Sequence, residues 1–71
     1  MVILENIQTD GKVFTAHAFN DLNGVAENIQ AKMDGTYHSS KDSDIIKATW
    51  SVIAEYEVKG KMPKKTAVAW G

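Results

Sequence analysis

Residues 46–58 read Ile46-Lys47-Ala48-Thr49-Trp50-Ser51-Val52-Ile53-Ala54-Glu55-Tyr56-Glu57-Val58, and every even position is apolar. The odd positions are polar, with Ile53 the single exception. Alternation with a period of two places one set of side chains on a sheet face and the other in water. The stretch therefore predicts a long strand with Trp50 and Tyr56 in the buried register. Fully extended it would run about 43 Å, longer than most strands, so a bulge or bend is expected near Val52-Ile53. A helix over 44–57 is the alternative, because Ile46, Trp50, Ile53 and Glu57 also fit a helical spacing. The β-branched and aromatic content favours the strand.

Downstream, Gly60 and Pro63 mark a turn, and Thr66 to Trp70 reads as a final strand. Upstream, Gly35 to Asp44 is polar and rich in turn formers, a ten-residue loop by this reading. Its length makes it a candidate functional loop. Before it, Leu22, Val25, Ala26, Ile29 and Met33 fall at helical spacing, predicting a helix over about 21–34. Asn20 or Asp21 would cap its start and Gly35 its end, and Gly24 inside it costs about 1 kcal/mol relative to alanine. At the N-terminus, Val2 to Gln8 and Lys12 to Phe19 read as two strands. Between them Asp10-Gly11 supplies the positive φ values of a tight hairpin turn.

The expected architecture is a single α+β domain over residues 1–71, in the order ββαββ. Its four-stranded, mostly antiparallel sheet carries one helix across one face. The apolar first and last strands would lie centrally, with the second and third at the edges, a 2-1-4-3 order. In topology this resembles the β-grasp arrangement of small immunoglobulin-binding bacterial domains. A resemblance of fold alone implies no function.

With 71 residues and no cysteine, the chain has a thin core and no disulfide to reinforce it. Packing, a partner or self-association must supply the rest. The lack of cysteine fits a reducing, cytoplasmic setting. No apolar run reaches the length of a membrane span, and the first residues lack the pattern of a signal peptide. The net charge is −1, but it is unevenly placed. Residues 1–57 hold nine acids and four lysines, whereas 58–71 hold Lys59, Lys61, Lys64 and Lys65 and no acid. Arginine, which reads guanine edges and grips phosphate bidentately, is absent, and this argues against sequence-specific duplex recognition.

Catalytic and metal motifs do not emerge. His17 and His38 stand alone without cysteine or an HxxxH pair, so no zinc site is expected. Asp42-Ser43-Asp44 with Asp34 lacks the spacing of a calcium loop and reads as solvated loop. Ser39, Ser40 and Ser43 have no nucleophile-elbow context, and no enzyme activity, metal or cofactor is expected. The features that remain are the lysines at 59–65, Trp50 and Trp70. They predict a non-enzymatic binding protein that docks a partner protein or homodimerises through the long strand and the terminal aromatics. Small accessory proteins of phage and prophage are of this size and kind. The alternative is a weak, sequence-indifferent binder of single-stranded nucleic acid, in which Lys59, Lys61, Lys64 and Lys65 track the backbone beside Trp70.

Overall fold

The computed structural model describes residues 1–68. Its elements are β1 (Val2–Thr9), β2 (Val13–Asn20), β3 (Val25–Lys32), α1 (Ser43–Lys59) and β4 (Thr66–Val68). All four strands are antiparallel to their neighbours, in the order β3-β2-β1-β4. The α+β class, the four strands and the single helix over one face are as expected. The two middle elements are exchanged. Residues 46–58 lie in α1, not in a strand, and residues 25–32 form β3, not a helix, so the chain order is βββαβ. The 2-1-4-3 order with the first and last strands central is replaced by one in which β1 and β2 are central and β3 and β4 are edges. Trp70 lies outside the described residues.

The helix wins because its buried stripe begins one residue before the alternating window. Ile45, Ala48, Thr49, Val52 and Ile53 are buried, a spacing of i, i+3, i+4, i+7 and i+8. Val58, placed on the buried face by the alternation, is 85% exposed, and Trp50 and Tyr56 are only half-buried. The punctuation is also helical. The Asp42 side chain accepts from the backbone N–H of Asp44 and Ile45, which makes Asp42 the N-cap. Gly60, at φ 72°, ends the helix with its N–H on the Tyr56 carbonyl.

In place of the expected helix, Asp21 to Gly24 form the β2–β3 turn, with Gly24 at φ 76°. Asn23 Oδ1 accepts from the Val25 N–H, a local bond that shapes the turn. Leu22, assigned to the apolar stripe, is 66% exposed at its tip. Ile29 and Ala31 instead follow the strand period, both buried and paired to Ala16 and Phe14 of β2. The Asp10-Gly11 hairpin forms as expected, with Asp10 Oδ1 accepting from Lys12 and Val13. In β1 the pairing advances from Glu5↔His17 to Gln8↔Thr15, an extra residue on β1. Asn6 takes up the bulge at φ 53°, and the parity flips so that Ile7 joins Val2 and Leu4 in the core.

The core lies between α1 and the sheet face that carries Val2, Leu4, Phe14, Ala16, Ala18, Ile29 and Ala31. At one end of it sits Asn20, fully buried. Its Oδ1 accepts from Leu22, and its Nδ2 lies 3.3 Å from carboxylate oxygens of Asp42 and Asp44. Asn23 Nδ2 donates to Asp42 at 2.8 Å. The helix start is thereby tied to the end of β2 and to the turn beyond it.

Two predictions test this arrangement by equilibrium urea unfolding. Ile45→Ala should cost about 3 kcal/mol, as for truncation of a core isoleucine, whereas Val58→Ser should change stability by less than about 0.5 kcal/mol. A large loss at Val58 with none at Ile45 would restore the strand. Asp42→Ala removes a cap and leaves the Asn20 amide short of acceptors, and should cost about 2 kcal/mol.

Candidate functional site

The connection from α1 to β4 returns along the flank of the helix and leaves a cleft of about 450 Å³. Val52, Tyr56, Met62, Pro63 and Thr66 line it, and Glu55, Lys59 and Lys61 stand at its rim. The helical period puts Val52, Glu55, Tyr56 and Lys59 on one flank of α1, three or four residues apart. Gly60 then turns the chain so that Met62 and Pro63 face that flank. Met62 is half-buried against the core. The volume falls within the range of ligand sites, about 300–1,000 Å³. What this lining offers a ligand is apolar contact, framed by ammonium groups.

The four lysines do not form one patch. Lys59 Nζ pairs with Glu55 at 2.6 Å along the helix, and Lys65 Nζ reaches Glu5 of β1 at 3.2 Å. Both pairs are well exposed, and such pairs contribute at most about 1 kcal/mol. Lys61 and Lys64 have no ion pair among the described residues. Of the site residues expected from sequence, Lys59 and Lys61 therefore meet at the cleft. Lys64 lies next along the same connection, Lys65 turns to β1, and Trp70 falls outside the description. Sequence reasoning missed Val52, Tyr56, Met62 and Pro63 as a group, because a strand at 46–58 would not bring them together. Pro63 shortly after a glycine-terminated helix was the available signal.

A second concavity, about 390 Å³, lies on the sheet, lined by Asn6, Gln8, Thr15, His17, Asn28, Gln30 and Ser39 among others. Apart from the buried Ala16 and Ile29, its lining is exposed amide, hydroxyl and imidazole groups. Burying such groups gains little, since each must recover the hydrogen bonds it makes to water. The cleft beside α1 is the better binding surface.

The remaining candidates have local structural roles. Thr49 Oγ1 donates to the Ile45 carbonyl and so accepts from His38 Nε2 at 2.9 Å, while His38 Nδ1 accepts from the Ser40 N–H at 2.9 Å. Both ring nitrogens are thus engaged in the neutral form. The Trp50 ring meets the imidazole edge-on at 5.5 Å. Burial pushes the His38 pKa below its ordinary 6.5, with Glu27 pulling the other way. Asp42 is held below the usual carboxylate range, first by the Asn23 amide and then by its cap and Asn20 bonds. The Thr36 hydroxyl and N–H do the same for Asp34, and the N–H groups of Val13 and Lys12 for Asp10. Among the described residues, no three His, Cys, Asp or Glu side chains cluster as a metal site would require.

No protein-family model, curated protein or solved structure matches this chain.

The His38 network predicts a pH dependence. Below pH 6.5 the unfolded chain takes up a proton that the folded chain refuses, so stability falls with pH until the lowered native pKa is reached. The carboxylates Asp10, Asp34 and Asp42 are shifted down from 3.8 and lose their contribution only under more acid conditions. Urea midpoints measured from neutrality to mild acid should decline in the native chain and stay level in His38→Gln. The same slope in both proteins would place the proton uptake elsewhere.

Proposed function

We propose that this chain is a non-enzymatic binding protein that docks a partner protein in the cleft between α1 and the α1–β4 connection. The observation that carries the reading is the apolar group Tyr56, Met62 and Pro63, left partly open at the surface over the buried Val52 and framed by Glu55, Lys59 and Lys61. Interface hot spots combine a desolvated apolar centre with a polar rim, and tyrosine is enriched among them. The docking edge expected over 46–58 is withdrawn, since those residues are helical and bonded within α1. No helix among the described residues is long and apolar enough to cross a membrane. The absence of cysteine favours a partner met in the cytoplasm.

The reading as a single-stranded nucleic-acid binder has weaker support. Backbone tracking draws on several free cations, and two of the four lysines are already paired to glutamates. Homodimerisation at this cleft would add the charge of Lys61 to that of its copy, since Lys59 is already paired with Glu55.

The test is affinity capture with the whole chain, run beside Met62→Glu and with nuclease-treated and untreated extract. A protein held in stoichiometric amount by the native chain, resistant to nuclease and lost with Met62→Glu, is the expected result. Recovery that disappears on nuclease treatment and survives Met62→Glu would transfer the function to the lysines.

A further inference from the structure

The two edges of the sheet differ. At β3, the chain that follows doubles back along the strand. Lys32 N–H bonds to the Tyr37 carbonyl, Ser39 N–H to the Gln30 carbonyl, and Gln30 N–H to the Ser39 hydroxyl. Ala31 and His38 form a bridge within this stretch, so the last residues of β3, Gln30 to Lys32, are covered by their own chain, while Val25 to Ile29 have no described partner on that side. At β4, Thr66 to Val68 pair with Leu4 to Val2 on one side, and no described residue pairs with them on the other. Exposed edges of this kind are templates for another strand.

The open edge adjoins the cleft. Thr66 and Val68 sit opposite Leu4 and Val2, whose side chains are in the core, so they belong to the helix side of the sheet, and Thr66 itself lines the cleft. A strand laid beside β4 would send alternate side chains toward Tyr56 and Met62, and the others to the outer face. The charge around this edge is basic: Lys61 and Lys64 have no ion pair among the described residues, and no acid occurs after Glu57.

We infer that the partner adds to the sheet as a short extended segment along β4, with apolar side chains entering the cleft at alternate positions and acidic side chains near Lys61 at the cleft rim and the exposed Lys64. This rests on the cleft being the docking site and names the kind of chain that fills it. The pairing uses backbone N–H and C=O groups for affinity and the cleft for selectivity, the mode of β-strand addition. At about 3.3 Å per residue, β4 offers an edge for roughly three to five partner residues. An amphipathic helix would leave the β4 backbone groups unused. A second copy of this chain, presenting its own lysines at the same edge, would be repelled.

The probe is a library of short random peptides displayed on phage and selected against the full chain. Two readouts then follow on a synthesised winner: its affinity, and amide hydrogen exchange of the protein. Enrichment of apolar residues at every second position, accompanied by Asp or Glu, is expected. The winner should bind at least about tenfold more weakly to Lys61→Glu/Lys64→Glu, recover when its acids are changed to lysine, and slow exchange at Thr66 to Val68. The charge-reversed variant lies in exposed positions, and its unchanged circular dichroism would confirm that it folds. Winners that need Met62 but leave β4 exchange unaltered, or that show helical spacing of apolar residues, would overturn strand addition and leave the cleft as the site. Winners indifferent to Met62→Glu, or no enrichment at all, would overturn both.

Discussion

The hydrogen bonds that converge on Asp42 decide where the helix begins and how it meets the sheet. One carboxylate caps α1 through the N–H groups of Asp44 and Ile45 and accepts from Asn20 and Asn23 at the end of β2. Asn20 is fully buried, so its amide must be satisfied by neighbours and not by water. That requirement brings the first turn of the helix to the β2–β3 turn. Once the start is held there, the stripe from Ile45 to Ile53 falls on the face carrying Leu4, Phe14 and Ala18, and the core closes. In a domain without disulfides, with few large buried side chains, one such polar junction selects among several ways of laying the same apolar stripe on the same sheet.

The route of the chain follows from that junction. After β3 the polypeptide returns along its own strand, runs through His38 and Ser40 to the cap, and crosses the sheet as α1. It must then come back on the far side, where Thr66 to Val68 pair with β1 and the Lys64 carbonyl accepts from the Ile7 N–H. The partial cover of the β3 edge and the openness of β4 are therefore products of a single path. His38 serves this path twice: its backbone bridges Ala31 on the edge strand, and its ring joins the Ser40 N–H to Thr49 on the helix. The ten residues read as a candidate functional loop are in large part a brace.

Much of this was legible in the sequence, and the part that was not has a specific cause. The Asp10-Gly11 hairpin, the strands on either side of it and the last strand could be read, because their turns need particular backbone angles that few residues supply. In 46–58, Ala48 and Ala54 counted as apolar and completed the alternation, yet alanine is the best helix former and neither site demands a sheet. Starting at Ile45 exposes the helical stripe, bracketed by Asp42 and Gly60. In 21–34 the reverse occurred. Asn23-Gly24 is a strong hairpin signal, but inside the helical spacing it reads only as a weak point. The strand that follows, with Ala26, Glu27, Asn28, Gln30 and Lys32, has little β propensity and is held by its pairing with β2, a tertiary effect that local patterns do not carry. The cleft inherits the same difficulty, since its walls come from a helix flank and a connection that meet only once the fold is right.

The lysines after Glu57 can then be understood through the edge they accompany. Proteins commonly place lysine at a sheet edge to prevent copies of the chain from adding to one another. Here the end of β3 is covered by hydrogen bonds from its own chain, whereas β4 has no described partner on its outer side, and the basic segment adjoins it. The same charge that repels an identical copy attracts an acidic strand, so protection and recognition need not be separate features. Lys59 and Lys65 are neutralised locally by Glu55 and Glu5, whereas Lys61 and Lys64 are left for an incoming chain. An edge that refuses its own kind and accepts the opposite charge gains specificity from repulsion as much as from fit.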